Sequence, residues 1–489
     1  MEIKKEFGDF QTPSVLADLI VQLLKNKKIS PEVIIEPTCG LGSILLKAHS
    51  KLKPKKTLGI EIQKKYTETL SAKVSESVTI KNYDFFYSIP LIKEFISDKE
   101  NLLFIGNPPW VTNSELSSHF STNLPKKTNF DNVKGIDAIT GKSNFDISEY
   151  IIQVLIDYFH YKKAVYAFLC KTSVAKKIMN RLWKKQLKYK SAEIYPIDSK
   201  KYFNAAVDAC LFLLDFSDKL LNFEMNIFTS IEDPQKKNTS GFYNNVYLED
   251  ISKKHVLDVY GKSIFIWRNG VKHDCSKVLE LRYDEKILKN GFDEILNIES
   301  DLLFPYLKSS DLTKDNLKIS KKVLITQRNI NEPTEYIKDI YPKTWEYLCK
   351  HSLDFEKRKS IIYKNKYRYS IFSIGDYTFK PYKIAISGLY KFLNFKFIEL
   401  FQNKPVLLDD TCNFISFDDR EEALFIYQLL NTDIVKEYLN SRISWEAKRP
   451  IKTEILNSID FEKIAEKLNL IDKYYYLFRR SAQQQFLFA

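Results

Sequence analysis

The chain has 489 residues, with 75 Lys and Arg against 62 Asp and Glu and a formal net charge of +13. Its 44% hydrophobic and 14% aromatic residues can bury large cores, which excludes disorder along the whole length, and at roughly 150 residues per domain it should hold two or three domains. The positive balance points to a polyanion, either nucleic acid or an anionic membrane surface, and a lysine-rich surface kept for solubility gives the same excess.

The N-terminus, Met1-Glu2-Ile3-Lys4-Lys5-Glu6, is charged and no apolar run follows it, so no secretory signal is expected. No stretch reaches the ~18–20 consecutive apolar residues of a spanning helix. The cysteines (Cys39, Cys170, Cys210, Cys275, Cys349 and Cys412) form no C-x-x-C pair, and the histidines show no H-x-x-x-H spacing. These patterns predict no disulfide framework, no metal and a reducing cytoplasm.

In chain order, the first part alternates short apolar runs with helix-period segments. Val33 to Glu36 reads as a strand and Ser43 to Ser50 as a helix; Thr57 to Ile62, Val78 to Asp84 and Leu102 to Gly106 read as further strands. A polar, loop-like stretch runs from Thr112 to Asn144. Ile147 to Tyr161 has helical spacing, and Ala164 to Leu169 and Ala209 to Phe216 read as buried strands. This alternation predicts an α/β domain with a predominantly parallel sheet. Ile231 to Gly241 is polar and carries Pro, Gly and Ser, which marks a linker. The expected division is therefore 1–230 as an α/β domain, 231–245 as a linker, and 246–489 as a mixed α+β domain dense in Tyr, Phe, Lys and Asn.

Four strand-end features carry chemistry. Glu36-Pro37-Thr38-Cys39-Gly40-Leu41-Gly42 is a glycine turn that lets backbone approach a ligand closely. It lacks the Gly-Lys-Ser/Thr of a phosphate loop, and its acid suits a cationic ligand. Glu61 ends the next strand, where doubly wound folds bind a ribose diol. Asp84, beside Phe85, can accept from an adenine amine while a ring stacks. The fourth feature is Gly106-Asn107-Pro108-Pro109-Trp110, where two prolines end the strand and fix the loop. The Asn107 side chain and the Pro108 carbonyl are rigid acceptors that suit the two N–H donors of an exocyclic aromatic amine, with Trp110 offering a stacking face.

Together these motifs resemble the amino-methylating, S-adenosylmethionine-dependent DNA methyltransferases. The order (Phe10-Gln11-Thr12-Pro13, the glycine turn, Asn-Pro-Pro-Trp, then a long C-terminal region) is similar to the gamma class of adenine-N6 enzymes, and the likeness spans residues 7–216. The resemblance implies a Rossmann-like class I domain with a seven-stranded sheet and a C-terminal target recognition domain. It implies that Gln11, Thr12, Pro13, Glu36, Thr38, Gly40, Gly42, Glu61, Asp84, Phe85 and Asn107 hold the cofactor. Asn107, Pro108, Pro109 and Trp110 would form the catalytic loop, with Trp110 and Phe203 stacking on a flipped base; Tyr202 is the alternative to Phe203.

The implied partner is double-stranded DNA, with a separately encoded restriction endonuclease as a further partner, no membrane, and a monomeric, cytoplasmic, nucleoid-associated enzyme. Trp after Asn-Pro-Pro is commoner in cytosine-N4 enzymes, so that target stays open beside adenine. A combined restriction–modification enzyme, for which Glu446-Ala447-Lys448 would supply an E-x-K centre, and an RNA or protein amino-methyltransferase are the remaining alternatives. Trp267 to His273 and Trp445 to Arg449 are basic, aromatic clusters in the C-terminal half, in which Arg268 or Arg449 would meet DNA.

Overall fold

The computed structural model describes residues 11–111, 146–284 and 287–478. It divides into two units, Met1–Ser252 and Lys253–Ala489. Phe10 and the whole of the predicted polar loop, Thr112 to Asn144, lie outside the described residues.

The first unit is built on one sheet. Its strands are β1 (Val33–Glu36), β2 (Lys56–Glu61), β3 (Val78–Asn82), β4 (Leu102–Gly106), β5 (Ala164–Lys171), β6 (Ser191–Ile197), β7 (Ala209–Asp215), β8 (Glu224–Phe228), β9 (Lys236–Tyr243) and β10 (Val246–Leu248). The helices are α1 (Ser14–Asn26), α2 (Ser43–Leu52), α3 (Lys64–Ser71), α4 (Ile89–Phe95), α5 (Ile147–Phe159), α6 (Thr172–Lys184) and α7 (Ser199–Phe203). The ten strands run in the order β10-β9-β8-β6-β7-β5-β4-β1-β2-β3. Pairing from β3 through β5 is parallel, and β7 enters antiparallel between β5 and β6.

Both faces of the sheet are buried, which explains the near-continuous apolar strands. Val33, Ile35 and Phe104 face α5 and α6, while Ile34, Leu103 and Ile105 face α1 and α2. The chain runs outward from β1 to β3 and returns to β4 on the other side of β1. That reversal leaves a crevice beyond the carboxyl ends of β1 and β4, the place where open α/β sheets bind ligands.

Seven strands, β1 to β7, form the expected sheet, and three more extend it. The expected linker is part of that extension: β9 pairs along β8 from Gly241 to Lys236, and β10 returns antiparallel on β9. The boundary therefore falls at Ser252, not at 231–245. The segment reads as polar because β9 begins exposed and is covered only towards Ser240, Gly241 and Phe242. Ser240 is fully buried and its hydroxyl donates to Glu249 O at 3.0 Å. Trp183 of α6 anchors the extension, stacking on Phe242 at 6.0 Å and on Tyr247 at 5.9 Å.

The second unit carries two small sheets, formed by β11 (Arg268–Asn269), β12 (Glu280–Asp284), β13 (Ile287–Lys289), β14 (Leu303–Leu307), β15 (Lys321–Leu324), β16 (Tyr382–Ser387), β17 (Lys396–Ile398), β18 (Leu407–Leu408) and β19 (Cys412–Phe417). Their orders are β11-β19-β16-β17 and β13-β12-β15-β14-β18. One face of the first sheet packs on α8 (Arg420–Leu430), α9 (Asp433–Arg442) and α10 (Phe461–Lys467). The other face meets β14 and β18 of the second sheet through Ala385, Phe414, Leu307 and Leu408. This is the mixed α+β unit expected. No helix among the described residues is long and apolar enough to cross a membrane.

Trp183→Ala should remove about 3–5 kcal/mol of stability, since it empties a buried aromatic site. Urea denaturation measures the loss. Limited proteolysis should cut residues 231–245 slowly in the parent chain and rapidly in the variant, whereas a linker would be cut equally in both.

Candidate active site

The crevice is floored by acids. Glu36 ends β1 and is 3% exposed; Glu61 ends β2 and is 7% exposed. The Glu61 carboxylate is locked by backbone donors: Gly40 N–H to Oε2 at 2.9 Å and Gln63 N–H to Oε1 at 2.9 Å. Asn82 Nδ2 donates to Glu61 O at 3.0 Å and Ile62 O at 2.9 Å, which ties the end of β3 to the end of β2. Burial, followed by the nearby Glu61 charge, pushes the Glu36 carboxyl well above the ordinary glutamate range, against hydrogen bonding from the Leu45 backbone. Burial likewise raises the Cys39 thiol between the two acids, which makes it inert.

The glycine turn wraps these acids. Gly40 (φ 51°) and Gly42 (φ 79°) are both left-handed. The turn closes with Gly42 N–H donating to Cys39 O at 2.8 Å, while Cys39 N–H donates to Ile60 O at 2.9 Å. Gln11 lies over it: its Oε1 accepts from Leu41 N–H at 3.1 Å, and a Cβ on Gly40 would sit 2.7 Å from that oxygen. Thr12 is buried and Pro13 starts α1. Glu36 Oε2 and Thr38 Oγ1 are buried with no hydrogen-bond partner.

Asp84 follows β3. Its side chain accepts from Phe86 N–H at 2.9 Å and caps a short turn at Phe85–Tyr87. Burial raises its pKa, countered by that backbone hydrogen bond. Phe85 does not face the crevice as a free stacking ring. It is 5% exposed and packs in the core with Ile92. The exposed apolar side chains at this edge are Ile62 (42%) and Tyr83 (44%), which sequence reasoning missed. Their signal was an apolar residue directly after the strand-end acid and one directly before Asp84.

Gly106 brings the fourth feature onto the floor. At φ 154°, a Cβ there would meet Glu36 Cγ at 3.1 Å and Oε1 at 3.2 Å. Asn107 is half-buried with Oδ1 out of solvent, and Pro108 is buried. Trp110 is 5% exposed, and its indole N–H donates to Leu169 O at 3.2 Å. The loop leaves the crevice at Val111, whose carbonyl accepts from Ile147 N–H at 2.9 Å at the start of α5.

The two candidate aromatics resolve by geometry. Phe203 packs edge-on against Trp110, with centroids 5.0 Å apart and planes at 72°. Tyr202 turns away, its hydroxyl donating to Glu232 Oε1 at 2.7 Å. Trp110 and Phe203 thus touch each other, where the sequence expectation had them standing apart around a base. A third ring does not fit between them at this separation. The two clusters of the C-terminal half split as well: Trp267 is core, whereas Arg268 and Arg449 are exposed.

The chain is similar to known DNA methyltransferases. Residues 1–162 match the model of the family described as N-6 DNA Methylase. The type II methyltransferase M.NspV of a Nostoc species is 42% identical over 471 residues, covering 95% of this chain and 98% of the relative. The structure of the type IIL restriction–modification enzyme MmeI in complex with DNA aligns with a TM-score of 0.57 at 14% identity. That alignment covers 94% of this chain and 66% of the MmeI chain, and it establishes a shared fold. The expectation of adenine is thereby chosen over cytosine-N4. At 42% identity to a type II enzyme over nearly its full length, the chain belongs to the N-6 DNA methylases, as an S-adenosylmethionine-dependent adenine-N6 DNA methyltransferase of the gamma class.

Proposed function

We propose that the chain methylates adenine N6 at one recognition sequence in duplex DNA, as the modification half of a restriction–modification pair, and that the strand-end residues divide the work. The observation that carries this reading is the convergence of Glu36, Glu61, Asp84 and Asn107 at the carboxyl ends of four parallel strands.

The crevice fits a cationic cofactor. Two buried acids, and two buried oxygens on Glu36 and Thr38 with no partner, call for a positively charged, hydrogen-donating ligand. Glu36 and Thr38 would receive the amino-acid end of S-adenosylmethionine, Glu61 its ribose hydroxyls and Asp84 its adenine amine. Gln11, Thr12 and Pro13 cover the same end of the crevice. Ile62 and Tyr83, in place of Phe85, offer the apolar surface for the adenine ring. When bound, the cofactor supplies an electrophilic methyl group on a sulfonium.

The target base is paired inside the duplex, so it must be flipped out at a cost of a few kcal/mol. Asn107 Oδ1 and Pro108 O accept the two N–H donors of its amine and hold the lone pair in line. Rigid acceptors stabilise the positive charge that develops on nitrogen without reorganising. For the base to stack, the Trp110–Phe203 contact must open. Trp110 is fixed by its core packing and indole hydrogen bond, so the movement falls to Phe203. That residue ends the short helix α7, next to Asn204 at φ 53°.

Asn107→Ala should lower methyl transfer to DNA by at least about 100-fold, the scale of losing one preorganised group. Cofactor affinity, measured by calorimetry, should change only a few-fold. Equal loss of both would make Asn107 a turn residue.

Glu36→Gln should separate stability from binding. Folded Glu36 holds its proton more tightly than unfolded Glu36, so this group's stabilising contribution falls as pH rises from the ordinary glutamate range to its raised value. The amide variant lacks that fall. Its Tm at neutral pH should exceed the parent's and depend less on pH. Its affinity for S-adenosylmethionine should drop by about tenfold or more, as expected for losing a charged hydrogen bond.

A further inference from the structure

The second unit contains a groove of about 320 Å³ lined by Lys391, Phe392, Leu393, Lys436, Asn440 and Trp445. These residues come from three separate places: the β16–β17 connection, helix α9, and the segment that leads into the Trp445–Arg449 cluster. Lys436 and Asn440 are four residues apart on α9 and so share a face. Lys391 and Phe392 are exposed, the latter at 46%.

The lysines have few carboxylate neighbours among the described residues. Among the described residues Lys391 has no carboxylate within 4.0 Å. Among the described residues Lys436 meets Asp433 alone, at 4.0 Å, and that carboxylate is fully exposed. Two ammonium groups lining one open groove favour an anion there. The walls are aromatic, and the Asn440 amide adds a donor. A flat apolar wall with flanking cations fits a nucleotide unit of a DNA backbone, with its phosphate between the lysines and its sugar against the rings.

The groove also joins the two basic clusters that are remote in sequence. Gly388, just before Lys391, donates its N–H to Thr411 O at 2.8 Å, and a Cβ there would meet Thr411 O at 2.9 Å and Ile451 O at 3.5 Å. Asn413 Nδ2 donates to Ile451 O at 2.9 Å and Asn413 Oδ1 accepts from Asn269 Nδ2 at 2.9 Å. Next to Thr411, Asp410 gathers Arg449 at 3.6 Å and Lys272 at 3.9 Å. Asp410 thus brings together a cation from the Trp267–His273 segment and one from the Trp445–Arg449 segment.

We infer that the Lys391–Lys436–Trp445 groove is a binding site for the DNA phosphodiester backbone, which sets the position of the duplex on the second unit. The inference rests on the DNA methyltransferase reading above and adds to it the place where the backbone is held. Phosphate contacts position the duplex, so the groove contributes affinity and register.

The full-length chain provides the test. Binding to a fluorescent duplex oligonucleotide is measured over a range of salt, and the KM for unmethylated plasmid DNA is measured beside the cofactor Kd. Lys391→Gln and Lys436→Gln should each reduce the slope of log K against log salt by about 0.9. Each should raise the KM for DNA several-fold, with the cofactor Kd unchanged. Lys391→Arg and Lys436→Arg, which keep the charge, should restore slope and KM. If the parent chain methylates plasmid DNA and the Gln variants keep its slope and KM, the groove is not the site. Arg variants as defective as the Gln variants would also overturn it. A parent chain that transfers no methyl group to DNA would instead overturn the reading on which the inference rests, and the inference with it.

Discussion

Two carboxylates buried at the ends of neighbouring parallel strands set the terms for the rest of the first unit. Glu36 and Glu61 sit side by side because β1 and β2 pair in register, with Glu36 opposite Gly59. Burial and mutual repulsion both work against ionising Glu36. The fold commits backbone N–H groups to Glu61, while burial holds the Glu36 carboxyl above the ordinary glutamate range. A positively charged, hydrogen-donating ligand would reverse the balance, because it would supply a counter-charge and a partner for the buried Glu36 Oε2.

The glycines serve the same arrangement. Gly40 needs its left-handed backbone to aim its N–H at Glu61, and Gly106 needs the absence of a side chain to let β4 close on Glu36. Asn107 is consequently placed beside the acid floor by backbone geometry. Covalent proximity along the Gly106-Asn107-Pro108 run, stiffened by two prolines, brings the Asn107 side chain and the Pro108 carbonyl to that floor.

These strand-end features were legible in the sequence because each is local: an acid, a glycine turn or a proline pair directly after an apolar run. What was not legible depends on partners far along the chain. β6 contains Glu193 and Pro196, yet it is a strand because β7 pairs with it along its whole length. β9 reads as a linker because its exposed half is polar, and only the Trp183 stack reveals that its other half is core. Phe85 looked like a stacking ring because it follows Asp84. The capped turn at Asp84 instead rotates Phe85 inward, and Tyr83 is left outside. In the second unit, Arg268 and Asn269 join a sheet by pairing with Phe414 and Asn413, a separation that no local pattern encodes.

The aromatic density of the C-terminal half, expected to meet DNA, mostly does something else. Trp267, Phe395, Phe414, Phe417 and Phe425 are buried, and they build the cores on either face of the first small sheet. Aromatic rings also hold cations in place: Arg268 lies over Tyr377 at 4.4 Å, and Arg358 over Tyr363 at 3.7 Å. The Arg358 guanidinium is also committed to the carbonyls of Phe355, Ser370 and Arg368, whereas exposed Arg268, stacked in this way, loses less freedom when it meets a phosphate or a base edge than one on a free tether. The net charge of +13 is therefore better understood through its anchoring than through its size. Loose lysines give non-specific attraction to any polyanion. Cations fixed on rings, or brought together along one groove, can demand a particular spacing of phosphates, and that spacing is what distinguishes a duplex in register from a duplex merely nearby.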